Sequence, residues 1–74
     1  MDMRTWWPTA THEEKAALAE QAGTTPSYLL QIAGGHRQPG HALARRLEEA
    51  SGIVTPDRPL PRGHLRPDLW GVHV

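Results

Sequence analysis

Seventy-four residues suffice for one domain but not for two, and a chain of this size hides only about 60% of the surface its unfolded form exposes, so its core is small. No cysteine is present, which excludes disulfides and thiolate-bound zinc as staples and leaves packing, helix caps or association to stabilise the fold. Eight basic side chains balance eight acidic ones, which excludes a chain that coats nucleic acid by bulk charge; yet positions 21–47 hold no carboxylate while carrying Arg37, Arg45 and Arg46, so a local basic face is compatible with neutrality.

At the N-terminus, Met1–Thr5 lacks the charged-then-apolar layout of a signal peptide, and no apolar run approaches the roughly 18 residues of a membrane helix, so a cytoplasmic chain is expected. Met1–Trp7 reads as a short apolar turn or helix closed by Pro8, whose ring disfavours helical geometry in the residue before it. Thr11-His12-Glu13-Glu14 is a capping box. The helix it starts is predicted over His12–Ala22, with Leu18, Ala19 and Ala22 among its apolar residues and Gly23 as its stop. Thr25 caps the next helix and Pro26 occupies its first turn, where a missing amide proton costs little. Leu29, Ile32 and Ala33 recur there at helical spacing until Gly34-Gly35. A further helix is predicted over His41–Ala50, ended by Gly52, with Leu43, Ala44, Leu47 and Ala50 inward.

The remaining 53–74 hold Pro56, Pro59, Pro61 and Pro67, a density that predicts an extended tail with at most one helical turn near Arg66-Pro67-Asp68. Two segments are therefore expected: a domain over 1–52 and a proline-rich tail over 53–74. Leu65, Leu69 and Trp70 form an apolar cluster in that tail, which is expected to dock on a groove beside the His41–Ala50 helix and Trp6-Trp7, or on a second subunit. At least two of Trp6, Trp7 and Trp70 are expected to pack in the core.

The middle of the chain suggests a function. Two short helices crossing steeply need a small residue at the contact, a glycine where the chain reverses and branched residues pinning the second helix. Ala19, Gly23, Leu29 and Ile32 supply that set. With Leu29 and Ile32 inward, the outer face carries Thr25, Ser27, Tyr28 and Gln31 and no negative charge. Gln31 can form paired hydrogen bonds with adenine, Ser27 can meet a base or a phosphate, and Tyr28 can bond a phosphate or stack on a sugar. Arg37, just past this helix, is expected on phosphate, as are Arg45 and Arg46. His36 and His41 lack further ligands for a metal, and Glu48 and Glu49 read as a solvated face without a nucleophile and base beside them. The expectation is a non-enzyme that needs no cofactor.

Three stretches carry a family resemblance: Tyr28–Pro39, Leu43–Gly52 and Leu65–Trp70. In them the chain resembles the Cro-like helix-turn-helix regulators of phages and prophages, in particular the YdaS-type, antitoxin-like group. The resemblance implies an all-α, compact four- to five-helix lambda-repressor-like domain, operator binding and autoregulation. Many phage repressors carry glutamine where this chain has Pro26, so base recognition shifts toward Ser27, Tyr28 and Gln31. The expected partner is a double-stranded DNA operator bound by a homodimer, since one small module contacts too little DNA for tight specific binding. The alternative is a protein-binding module, either an antitoxin neutralising a toxin or a factor binding RNA polymerase.

Overall fold

The structure, a computed structural model, describes residues 1–70. Those residues form six helices and no strand: α1 (Met3–Thr9), α2 (His12–Ala22), α3 (Pro26–Ala33), α4 (His41–Val54), α5 (Arg62–Leu65) and α6 (Pro67–Trp70). The chain is all-α, as its periodicity predicts.

Local chemistry sets α2 and α3 as expected. The Thr11 hydroxyl accepts from the Glu14 amide at 3.1 Å, and the Glu14 carboxylate accepts from the Thr11 amide at 2.8 Å. Gly23 ends α2 in the left-handed region (φ 74°), and the next amide, Thr24 N–H, donates back to the Ala19 carbonyl at 2.8 Å. After that reversal, the Thr25 hydroxyl accepts from the Tyr28 amide at 3.2 Å and starts α3 with Pro26 in its first turn.

Two boundaries differ from the sequence expectation. Pro8 does not close α1 but lies in its last turn, the helix running to Thr9. The bond lost to the proline ring is the one toward the exposed Arg4, while burial of Met3 and Trp6 holds the turn in place. Gly52 does not end α4 either; the helix continues to Val54 and is capped at Thr55. Glycine permits a helix to end but does not require it, and here the buried Ser51 and Thr55 hold the last turn. The Ser51 carbonyl accepts from the Thr55 amide at 2.9 Å and closes it.

The core is assembled from every helix through α5. Leu18, Ala19 and Ala22 of α2 pack against Ala44, Leu47 and Ala50 of α4, the most extensive pairing in the domain, while α1 lies on α3. Ala19 is 1% exposed, so a larger side chain has no room at the crossing. At the centre is Trp6, fully buried, whose indole Nε1 donates to the Thr55 hydroxyl at 3.0 Å. That hydroxyl in turn faces the carbonyls of Ser51 (3.3 Å) and Arg58 (3.1 Å). Arg58 reaches back to the Thr9 carbonyl and hydroxyl and pairs with Glu14 at 2.7 Å.

The segment after α4 packs through Leu65, as expected, and through Leu60, which was not expected, whereas Leu69 stays exposed. Leu60 is fully buried, its amide donating to the Ser51 hydroxyl at 2.8 Å, and Leu65 is buried beside it in the core cluster. Leu69 is 46% exposed. Trp70 is only partly buried, with the Arg62 guanidinium 5.1 Å from its ring centroid. The reason is local: Pro61 and Pro67 break the tail into two single turns, and α6 packs on α5 rather than on the Trp6-Trp7 segment. Glu48 also departs from expectation, being half-buried and accepting from the Arg62 amide at 3.0 Å, where it caps α5. Glu49 is exposed.

Replacing Thr55→Val keeps the volume and removes the hydroxyl, leaving the buried indole N–H without an acceptor at a cost of about 1–3 kcal/mol. The melting temperature is expected to fall by roughly 5–15 °C in calorimetry; an unchanged midpoint would show that the bond contributes nothing. Gly23→Val forces a branched side chain into the left-handed region, worth about 1–3 kcal/mol of strain. Gly23→Asn, which tolerates that region, should retain most of the stability in the same melts.

Candidate nucleic-acid interface

α3 is displayed by two features. The Gly23 reversal sends it away from α2, and α1 supports it from behind through the core. Leu29 and Ala33 are buried and Ile32 is half-buried, which leaves Ser27, Leu30 and Gln31 exposed and Tyr28 partly exposed. No residue from Pro26 to Ala33 carries a negative charge. The helix N-terminus adds amide donors and the positive end of its dipole to this face.

Thr25 is exposed and caps α3; with its oxygen accepting from Tyr28 N–H, its hydroxyl proton is still able to donate. Gln31 and Arg37 are brought together. Gly35, at φ 80°, lets the chain curl so that the His36 and Arg37 amides both donate to the Gln31 carbonyl, at 2.9 and 3.2 Å. Arg37 Nε then donates to the Gln31 side-chain oxygen at 2.9 Å. The two side chains are thereby linked, and the Gln31 oxygen keeps its second lone pair. The donors left over are the Gln31 amide hydrogens and the terminal guanidinium hydrogens.

Arg45 and Arg46, adjacent in sequence, are used differently. Arg46 Nε donates to the Ala22 carbonyl at 2.9 Å, satisfying the end of α2 and clasping α4 to the turn before α3. Arg45 is exposed and makes no hydrogen bond or ion pair among the described residues.

Arg4 and Lys15 of this surface were not anticipated from the sequence. Arg4 of α1 lies beside the loop after α3, its Nη2 within 3.4 Å of where a side chain at Gly35 would begin. Arg4 and Arg37 line one hollow of about 190 Å³, together with Asp2, Gln38 and His64. Asp2 is occupied as the α1 cap, and the Thr5 amide bonded to it holds its carboxyl below the usual aspartate range. On the other side of α3, the Lys15 ammonium stands 4.4 Å from the Trp7 ring centroid, near Leu30. Nothing local marks Arg4 or Lys15; they reach α3 only because α1 and α2 pack against it. Among the described residues, no group of three or more histidines, aspartates or glutamates is placed to hold a metal, and no helix is long and apolar enough to cross a membrane.

No protein-family model matches the chain, and no solved structure matches it. A prophage transcriptional regulatory protein of Escherichia coli (strain K12) is 33% identical to it over 69 residues, a match that covers 92% of this chain and 96% of that protein.

The two neighbouring arginines can be told apart by their melts. Arg46→Ala should cost about 1 kcal/mol through the lost α2 clasp and lower the melting temperature by about 5 °C. Arg45→Ala should leave the melt unchanged. Equal melts for the two variants would mean that Arg46 is not a structural clasp.

Proposed function

The chain belongs to the family of that Escherichia coli prophage transcriptional regulatory protein, and on this premise we propose that it is a transcriptional regulator that binds a double-stranded operator through the major groove. The observation that carries the reading is α3: a short helix raised on a tight turn, free of carboxylates and, apart from Leu30 and Pro26, polar on its outer face. In this reading the domain is a Cro-like, lambda-repressor-like helix-turn-helix of the YdaS type, with α2 as the supporting helix and α3 entering the groove. It acts in the bacterial cytoplasm without a cofactor and without catalysis.

The roles divide by chemistry. Ser27 and Gln31 face the base edges, while Thr25 and Tyr28 contact phosphate or sugar near the start of α3. Arg37 holds Gln31 and offers its terminal hydrogens to a phosphate. With Arg37 on one lone pair of the Gln31 oxygen, the second lone pair and the amide hydrogens remain, so Gln31 can still pair with the amino group and N7 of adenine. Arg45 and Arg4 supply phosphate contacts, and Arg46 contributes chiefly by holding the turn. A single module of this size covers about 600–1,000 Å² of DNA, so a homodimer on two half-sites is the form that binds tightly. In this reading residues 53–65, through Leu60 and Leu65, belong to the body that carries α3.

Titration of a duplex from the region upstream of its own gene, at several salt concentrations, tests the reading. Each phosphate contact adds about 0.9 to the slope of log affinity against log salt. Arg37→Ala is expected to lower the slope by about one and to weaken cognate and random duplexes alike. Gln31→Ala is expected to lose about 1–3 kcal/mol on the cognate duplex and little on random DNA. Binding that ignores salt, or no binding to any duplex, would overturn the reading.

A further inference from the structure

An open hollow of about 290 Å³ lies where α1, α2 and α3 meet, lined by Trp7, Lys15, Ala16, Pro26, Ser27 and Leu30. Its chemistry is unlike the rest of the α3 face. Leu30 is 53% exposed, although the neighbouring Leu29 is fully buried and the core is complete without it. A lone exposed leucine is ordinary on a protein surface. This one lies three residues after Ser27 and four after Pro26, so the three share one stripe of α3, directly beside Gln31.

The rim of the hollow decides what kind of partner fits. It carries the Lys15 ammonium, held over the Trp7 ring, and His12, and no carboxylate lines it. A polyanion is drawn to such a rim. The apolar wall then has to meet whatever apolar group that polyanion presents at its surface. On the edges of the bases in the major groove, that group is the 5-methyl of thymine; the other edge groups are hydrogen-bond donors and acceptors.

We propose that Leu30, backed by Pro26 and Trp7, seats the 5-methyl group of a thymine in each operator half-site, making Leu30 a specificity-determining residue beside Gln31. The inference rests on the DNA-binding reading above and adds to it a contact that no hydrogen-bonding residue supplies. Burying one methyl group accounts for about a three- to fivefold difference in affinity.

The test uses the full chain and a duplex selected from a random pool synthesised with thymine. Each thymine of the selected site is then replaced in turn by deoxyuridine, which removes the methyl and leaves every hydrogen bond in place. The wild-type protein is expected to bind about three- to fivefold more weakly at one thymine position per half-site. In Leu30→Ala that difference should vanish, while the melting temperature and the salt slope stay as in the wild type. Leu30→Met, which keeps an apolar side chain of similar length, should preserve the discrimination. Tight binding with indifference to every uracil replacement overturns the inference and leaves the hollow to a sugar or a protein side chain, with the regulator reading intact. Undiminished discrimination by Leu30→Ala overturns it in the same way. Failure of the wild type to select any duplex overturns the regulator reading and this inference together.

Discussion

The hydrogen bond from the Trp6 indole to the Thr55 hydroxyl joins the first helix to the end of the fourth, across 49 residues of sequence. Both partners are buried, and an indole N–H left without an acceptor there carries a penalty of about 1–3 kcal/mol. In a domain whose total stability is of order 5–15 kcal/mol or less, that is a large fraction. The bond therefore fixes α1 against α4. Since α1 is also the support on which α3 rests, the orientation of α3 depends on a contact that includes none of its own residues.

Around this bond the chain uses polar side chains where a cysteine-rich domain would use disulfides. Thr55 is met by Trp6, Ser51 and Arg58, and Ser51 in turn holds the Leu60 amide. Arg66 pairs with Asp68 and donates to the Pro39 carbonyl, tying the last turns of the described chain to the loop before α4. Among the described residues, no buried side-chain nitrogen or oxygen lacks a partner. A small core with its buried polar side chains satisfied loses little to desolvation, which helps so few apolar side chains hold one arrangement.

The same division of labour among polar groups sorts the eight basic side chains into two sets. Arg46, Arg58, Arg62 and Arg66 are engaged within the fold, on backbone carbonyls, on carboxylates or over the Trp70 ring. Arg4, Lys15, Arg37 and Arg45 lie on the helices and loops around α3 or on the outside of α4. Net charge averages these two groups, so it says little about either. The carboxylates are sorted in a similar way: Asp2, Glu14 and Glu48 serve as caps or partners at helix starts, and α3 carries none.

What the sequence alone determined is the pair α2 and α3 with the turn between them, because the interactions that define them span five residues or fewer. Thr11 with Glu14, Gly23 at positive φ and Thr25 ahead of Pro26 are each complete within one helical turn, and no distant contact has to be known to recognise them. The polar outer face of α3 was equally readable, since Leu29 and Ile32 point the rest outward. Tertiary structure decided everything that depends on a partner far along the chain. Gly52 and Pro8 look like stops locally, yet burial of Ser51, Thr55, Met3 and Trp6 carries the helices through them. Leu60 rather than Leu69 anchors the tail because Ser51 accommodates its amide and the prolines turn α6 onto α5. Arg46 and Arg45 are indistinguishable in sequence and part company only because the Ala22 carbonyl lies beside one of them. Arg4 and Lys15 join the α3 surface for the same reason: their place depends on which helices touch, and that depends on contacts too distant in sequence for any local pattern to encode.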